Sequence, residues 1–159
     1  MATANLKHAK KVFATLIKMM DANNLKYEKL EDDLVIRSGF NTDDFPVEFI
    51  ISIDAERDLV RFMSKLPFSM PEDKRVDGAI AVCVANNGMV NGSFEYDITK
   101  GDILFKMVTS YRGDVDLSTD VFEYMMNVSV GTIDRYNDQF FMISKGMMSI
   151  QDFITKEIE

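Results

Sequence analysis

The sequence predicts a single α+β domain over residues 1–159, in which an antiparallel sheet of five to six strands is covered by helices on one face. Three observations predict this class. The chain of 159 residues has the length of one domain. Its apolar residues recur at helical spacing near both ends and alternate with polar residues in between. The alternating segments are short and separated by turn-like residues, which is typical of antiparallel strands. The predicted order is α-β-β-β-(β)-α-β-β-α-α.

The composition excludes several classes of function. With 47% hydrophobic and 28% charged residues, the chain is typical of an ordinary globular domain. A net charge of −8 repels phosphate backbones, so we expect no nucleic-acid partner. No apolar run is long enough to span a membrane, and docking of the first helix on a membrane is the weakest alternative. A single cysteine, Cys83, cannot form an internal disulfide, which fits a reducing compartment and predicts a cytoplasmic protein.

The first half of the chain predicts one helix and three or four strands. The N-terminal stretch is interrupted by Lys18 and followed by Asp21, so we interpret it as an amphipathic helix and not as a signal peptide. That helix ends near Ala22, and Tyr27–Leu30 is a weak strand candidate. The next three strands are indicated by alternating apolar residues: Leu34, Ile36 and Phe40; Val47, Phe49, Ile51 and Ile53; Val60 and Phe62.

The second half predicts a helix, a hairpin and two further helices. Pro71 opens the second helix and Gly88 ends it, with a buried stripe of Val76, Ala79, Ile80, Cys83 and Val84. A turn at Lys100–Gly101 predicts a hairpin in which these residues face each other: Ile98 and Ile103, Tyr96 and Phe105, Phe94 and Met107, Glu95 and Lys106. Ser118 caps the third helix, which ends at Asn137–Asp138. The fourth helix follows, and Gly146 favours a bend or an interruption within it.

The residues that carry chemistry do not form a recognisable site, so we predict no catalytic residues, no cofactor and no metal. His8 and Cys83 are too few to hold zinc, and the helical stripe around Cys83 predicts a buried, inert thiol. Asp114, Asp116 and Asp120 resemble the start of a calcium loop but lack its later ligands. Nucleophile-elbow, phosphate-loop and dinucleotide-binding glycine patterns are also missing from the sequence. Carboxylates brought together by folding leave no local signature, so an activity built from them stays open.

One face of the predicted sheet is unusually apolar. Side chains that alternate with the buried ones include six apolar residues, which we predict to form an interface: Val35, Ile50, Leu59, Met63, Leu104 and Val108. Exposed hydrophobic residues that are scattered singly are normal, whereas a contiguous patch binds something. The sequence therefore predicts a protein or peptide partner, with a homodimer through this face or the second helix as the first expectation. The acidic surface suggests basic or amphipathic partner segments, and strand pairing at a sheet edge would add to the contact.

The second half of the chain resembles a known family. The segments are MPEDKRVDGAIAVCVANNGMVNGSFEYDITKGDILFK and LSTDVFEYMMNVSVGTIDRYNDQFFMISKG, and the matching positions are Asn86 or Asn87, Gly92, Phe94, Gly101, Asp134, Tyr136 and Gly146. In these positions and in the order of its elements, the chain resembles the YbjN-like family of proposed bacterial sensory transduction regulators, which share the Tir chaperone-like fold of type III secretion chaperones.

This resemblance implies dimers that bind protein segments and implies no catalytic residues. The predicted function is therefore a non-enzymatic protein-binding module, chaperone-like or regulatory, which buries an apolar sheet or helix surface against a partner polypeptide. The alternative is a small-molecule-binding or enzymatic domain with a pocket between the sheet and the helices. A deep cavity with convergent carboxylates would favour that alternative.

Overall fold

The computed structural model describes residues 2–113 and 115–158, and side chains from residue 5 onward. Four α-helices are present in these ranges: Ala2–Ala22 (α1), Arg75–Asn87 (α2), Thr119–Ser144 (α3) and Ile150–Ile158 (α4). The strands are Tyr27–Leu30 (β1), Val35–Asn41 (β2), Pro46–Asp54 (β3), Leu59–Ser69 (β4), Ser93–Asp97 (β5) and Asp102–Ser110 (β6). A short 3-10 helix over Glu72–Lys74 follows Pro71 and leads into α2.

The six strands form one antiparallel sheet in the order β1-β2-β3-β4-β6-β5. The first four strands make a meander, in which each strand pairs with the next along the chain. The chain then leaves the sheet through α2 and returns with the β5–β6 hairpin, whose second strand pairs with β4. The predicted α+β class and order of elements are therefore confirmed, and the six strands fall within the predicted five to six.

The core lies between the sheet and the helices. Strand residues that face the helices are almost fully buried, including Phe49, Phe62 and Phe105 at 0–1% exposure. Helices α1 and α3 pack on this side with the buried residues Ala9, Val12, Phe13, Leu16, Phe122, Met125, Met126, Ile133 and Phe140. Burying each large apolar side chain contributes about 1.5–3 kcal/mol, so this layer supplies most of the driving force for folding.

The register of the β5–β6 hairpin differs from the predicted one by two residues. Phe94 lies opposite Phe105 and Tyr96 opposite Ile103, so the predicted pairs were wrong. The turn is longer than expected because the Asp97 carboxylate accepts hydrogen bonds from the backbone N–H and the side-chain hydroxyl of Thr99, at 2.9 and 2.6 Å. Gly101 completes the turn at φ +77°, where its backbone touches that of Met70 and leaves no room for a Cβ.

The buried stripe predicted for α2 was wrong for three of its five residues, although Val84 packs against the core as predicted. The residues that face inward are the small ones, Gly78, Ala81, Val82 and Ala85. A Cβ on Gly78 would lie 2.6 Å from Met70 and 2.7 Å from the Tyr96 hydroxyl, so close packing against the sheet requires small residues here. Three members of the predicted stripe are instead exposed: Val76, Ile80 and Cys83. The thiol is therefore accessible, contrary to the expected buried one.

Helix α3 continues through Asn137–Asp138, where it was predicted to end. Asn137 is completely buried, and its side-chain Nδ2 donates to Thr42 Oγ1 in the β2–β3 turn at 3.2 Å. This hydrogen bond satisfies the Asn137 amide inside the protein, so the residue does not need to contact water at a helix end. The helix ends at Ser144. Gly146, two residues beyond it, adopts φ +68°, and Met147 N–H donates to Met142 C=O at 2.8 Å as in a Schellman motif.

Replacing Asn137 by alanine removes the only side-chain hydrogen bond described between α3 and Thr42, and leaves a cavity. We expect Asn137→Ala to lower the free energy of unfolding by about 1–3 kcal/mol, measured by urea denaturation. The control is Asn127→Ala, which changes an exposed asparagine of the same helix. Its effect should stay within about 0.5 kcal/mol. Equal losses in the two variants would contradict the structural role of Asn137.

Candidate functional site

The side of the sheet that faces away from the helices is called the outer face here. On β3, Val47, Phe49, Ile51 and Ile53 are buried, and the residues between them point outward. The same alternation in β2, β4 and β6 places all six apolar residues predicted for the interface on the outer face: Val35, Ile50, Leu59, Met63, Leu104 and Val108. Their place in the fold is as expected from the sequence, and their role in binding stays a prediction.

The strand register brings four of these residues together around Met63. Ile50 lies directly opposite Met63 on the neighbouring strand β3. On the other side, Met63 lies opposite Lys106, so Leu104 and Val108 occupy the two diagonal positions. Diagonal neighbours in a sheet are about 7–8 Å apart, within reach of side chains of this size. Met63 is therefore the centre of an apolar cluster that extends over three strands.

The remaining two residues extend this cluster into a continuous band. Arg37 lies opposite Ile50, which makes Val35 a diagonal neighbour of Ile50. Ser110 lies opposite Leu59, which makes Val108 a diagonal neighbour of Leu59. We call the band of six residues the diagonal stripe. Ile50 and Val108 are 44% and 43% exposed and the other four are half-buried, so this is one connected patch and not a set of isolated side chains.

Charged side chains that border the apolar residues of the diagonal stripe, or lie between them as Arg61 and Lys106 do, are mostly paired within the molecule. Arg61 Nη2 lies 2.5 Å from Asp54 Oδ2, Lys65 Nζ lies 2.7 Å from Asp102 Oδ2, and Lys106 pairs with Glu95. These pairs leave the surroundings of the stripe close to neutral, although the chain carries a net charge of −8. The outer face can therefore approach an acidic polypeptide, including a second copy of this chain, with less repulsion than the rest of the surface.

Asp54 organises one end of this border. Its side chain is 12% exposed, and Oδ1 accepts hydrogen bonds from the backbone N–H groups of Glu56 and Arg57 at 3.0 Å. Burial raises the pKa of Asp54, but the backbone N–H of Arg57 and the guanidinium of Arg61, with the further bonds from Glu56 and Arg57, outweigh it and hold the pKa below its ordinary value. The ionised Asp54 thus keeps Arg61 in place beside the stripe.

A shallow depression continues the stripe beyond Ile50. It has a volume of about 600 Å³ and is lined in part by Glu28, Arg37, Gly39 and Glu48. Gly39 has no side chain to fill it, since a Cβ there would meet only the Val47 carbonyl oxygen, at 3.9 Å. The depression therefore has room for a side chain of a partner lying along the stripe.

The edge of the sheet at β5 is partly closed by α2. The Asn86 side chain donates to the Phe94 carbonyl oxygen at 2.9 Å and accepts from the Phe94 N–H at 2.8 Å. A carboxamide that pairs with both backbone groups occupies the place of an added strand at that residue. The expected strand pairing at an edge is therefore blocked at Phe94. Sequence reasoning matched Asn86 or Asn87 to the family pattern, but nothing in the sequence indicated this bond.

The alternative function requires a pocket between sheet and helices, and one depression lies there. It has a volume of about 390 Å³ and lies between α1, β2 and α3, with the lining residues Met19, Asn23, Leu25, Phe40, Glu123, Met126, Asn127, Val130 and Gly131. Glu123 is the one carboxylate in this lining, so the convergent carboxylates that would favour an enzyme are not found in it. Across residues 2–113 and 115–158, no cluster of three or more His, Cys, Asp or Glu side chains is arranged to hold a metal ion.

His8 and Asp116, which were considered above as possible metal ligands, take part in packing and ion pairs within the fold. The His8 ring packs edge-on against Tyr111, with centroids 5.2 Å apart, and its Nε2 lies 3.8 Å from Asp116 Oδ1. Asp116 Oδ2 accepts a hydrogen bond from Lys11 at 2.7 Å, which ties the loop before α3 to α1. Asp114 lies outside the described residues. Within the described ranges, none of the helices combines the length and the hydropathy needed to cross a bilayer.

Comparison with solved structures identifies the fold. No family model and no curated protein matches the chain. YbjN from E. coli, described as a proposed transcription regulator, superimposes with a TM-score of 0.60 at 12% identity, covering 78% of this chain and 87% of YbjN. A chain of the HopA1–SchA chaperone–effector complex gives a TM-score of 0.53 at 12% identity, covering 80% of this chain and 95% of that one. The chain has the fold of YbjN and of one chain of this chaperone–effector complex.

The expected resemblance is thus confirmed at the level of the fold. An identity of 12% carries no residue roles from these proteins to this chain. The function must be argued from the surfaces described above.

The lowered pKa of Asp54 predicts a pH-dependent stability. Because the folded state favours the ionised carboxylate, its contribution is complete above the ordinary pKa of 3.8 and is lost as the pH falls through the lower folded value. We expect Asp54→Asn to lower the free energy of unfolding by about 1–3 kcal/mol at neutral pH, and the difference from wild type to narrow in acid. Urea denaturation between neutral and acidic pH measures both.

Asp33→Asn controls for the removal of one negative charge, since Asp33 lies in an exposed turn. A loss of stability in Asp54→Asn that stays constant or grows as the pH falls would show that hydrogen bonds to the ionised Asp54 do not stabilise the fold.

Proposed function

We propose that the protein is a non-enzymatic binding module that buries the diagonal stripe against a partner polypeptide. The single observation that carries this proposal is the register that joins Val35, Ile50, Leu59, Met63, Leu104 and Val108 into one patch. Burial of apolar surface is the main driving force of protein association, and each large side chain removed from water contributes on the order of 1 kcal/mol or more. The ion pairs that lie beside and between the apolar residues would supply polar contacts to the same partner.

A chaperone-like or regulatory role fits this surface better than catalysis. The depression near Gly39 and the half-buried Met63 suit an adaptable contact with an extended segment or a folded partner. One structural neighbour is described as a chaperone–effector complex and another as a proposed regulator, which supports a role in protein binding. The accessible, unpaired Cys83 thiol fits a reducing compartment, and we propose the cytoplasm.

We propose that the first partner of the outer face is a second copy of the chain. The neutral border around the stripe removes much of the repulsion that a net charge of −8 imposes on two copies. A two-fold arrangement uses the same patch on both subunits and so covers both stripes at once. The exposed residues of α2, Val76, Ile80 and Cys83, are the other surface on which two copies could meet.

Light scattering on the purified protein tests this proposal with Ile50→Glu and Leu104→Glu. Each substitution places an unpaired charge at the centre of the contact, which costs about 2–5 kcal/mol and weakens the dimer on the order of a hundredfold. We expect a wild-type dimer and monomeric variants. Val90→Glu is the matched control, because Val90 is apolar and 94% exposed but lies outside the sheet, and it should remain dimeric.

Three results would count against the outer face. A wild-type monomer, over the whole concentration range, would remove the second copy as its partner. Loss of the dimer in Val90→Glu as well would show that the added charge acts without regard to position. A dimer that survives Ile50→Glu and Leu104→Glu but dissociates in Ile80→Glu would place the contact on α2.

A further inference from the structure

Three phenylalanine rings form a cluster at one end of the sheet, apart from the outer face. Phe45 precedes β3, Phe68 lies near the end of β4, and Phe141 lies in the last turn of α3. The ring centroids are 5.0 Å apart for Phe45 and Phe141, 5.4 Å for Phe68 and Phe141, and 5.6 Å for Phe45 and Phe68. Each ring is only partly buried. We call these three residues the aromatic cluster.

Hydrogen bonds hold the aromatic cluster in a fixed arrangement. In the β2–β3 turn, Thr42 Oγ1 donates to the Phe45 carbonyl oxygen at 2.6 Å. The same Thr42 Oγ1 accepts from the buried Asn137 on α3 at 3.2 Å. The turn that carries Phe45 is thereby fixed to the helix that carries Phe141, so a partner meets a surface that is already ordered.

The cluster already binds a cation from its own chain. Lys145 Nζ lies 5.3 Å from the centroid of the Phe141 ring. A cation within about 6 Å of a ring face is attracted by the negative charge density of that face. The partly exposed ring of Phe141 therefore already attracts one ammonium group, that of Lys145, for which a partner's cation would compete.

Four carboxylates adjoin the aromatic cluster in the sequence, on the same two elements. Asp43 and Asp44 lie in the turn just before Phe45, and Asp134 and Asp138 lie on α3 upstream of Phe141. The two groups meet in space, since the Asp43 N–H donates to Asp134 Oδ1 at 3.2 Å. In the described parts of the chain, no lysine, arginine or histidine forms an ion pair with any of the four.

Burial and the crowding of these carboxylates raise the pKa of Asp44 above its ordinary value. Burial raises the pKa of Asp44, and the negative charges of Asp138, Asp134 and Asp43 raise it further. Among the described residues, these four carboxylates are not arranged to hold a metal ion. An organic cation with an apolar body satisfies both the rings and the carboxylates.

We propose that the aromatic cluster docks a basic, amphipathic segment of a partner protein. Apolar side chains of that segment cover the rings, and its lysine or arginine groups pair with Asp44 and Asp138. A nucleic acid is repelled by the same carboxylates, and a bilayer with anionic headgroups is repelled likewise. This site goes beyond the proposed function because none of its residues belongs to the diagonal stripe.

Fluorescence anisotropy tests the proposal with a labelled short peptide that alternates lysine with leucine. We expect Asp44→Asn/Asp138→Asn to weaken binding about threefold to tenfold, as for the loss of two exposed ion pairs. Asp32→Asn/Asp33→Asn removes the same charge from the exposed β1–β2 turn and should weaken binding less than about twofold. Equal weakening in both variants would show attraction by net charge only and would overturn the site.

Lys145→Gln supplies a second, independent test. Removing the cation that already lies over Phe141 should tighten binding of the same peptide about twofold. Lys156→Gln, an exposed lysine on α4, controls for the change in net charge. Binding that tightens equally in the two lysine variants, or equal binding of a peptide that alternates glutamate with leucine, would overturn the proposal. Neither result depends on whether Ile50 or Leu104 takes part in self-association.

Discussion

The structure depends on one buried row of side chains that crosses the four central strands. The row pairs Ile36 with Ile51, Ile51 with Phe62, and Phe62 with Met107 across neighbouring strands. Each of the four side chains is at most 4% exposed. Because side chains alternate between the faces of a strand, a slip of one residue would move such a side chain out of the core. The row therefore fixes the register of the whole centre of the sheet. The register in turn places Ile50 opposite Met63 on the outer face, so the diagonal stripe follows from the packing of the core.

Charge distinguishes the two surfaces that we propose for binding partners. On the outer face, arginine and lysine side chains pair with carboxylates of neighbouring strands, and the exposed area is apolar and close to neutral. At the aromatic cluster, the four carboxylates have no such partners among the residues that the structure describes, and the partly buried rings lie beside these negative charges. The first surface suits a partner that is itself apolar, and the second suits a partner that is basic. A single acidic chain thus has two surfaces of different chemistry.

Alternation of apolar residues is a strong signal, and it is the reason the sheet and its outer face could be predicted. Because apolar residues at every second position of a strand share one face, the sequence alone predicted that Ile50, Met63 and Leu104 lie on the outer face. Their arrangement around Met63 could not be predicted, because it depends on pairing between strands that are distant along the chain. The predicted register of the β5–β6 hairpin was wrong for a local reason, because hydrogen bonds from Thr99 to the Asp97 carboxylate lengthen the turn.

The helices were harder to predict because their inner faces are set by close packing. Gly78 and Ala81 face inward on α2, and a side chain at Gly78 would collide with Met70 and Tyr96, so hydrophobicity alone did not identify the inner face. Asn137 is typical of a helix end, but its amide is satisfied by Thr42 far away in the sequence. The aromatic cluster has the same origin: its rings come from three separate elements, and folding alone brings them together.

Oxidative footprinting of methionines, read out by mass spectrometry, tests most directly whether the outer face is an interface. Met63 lies at the centre of the diagonal stripe, and Met147 is 68% exposed outside the sheet. With rising protein concentration, Met63 should become protected from oxidation while Met147 stays reactive. Oxidation of Met63 at the same rate in dilute and concentrated samples, relative to Met147, would contradict the account.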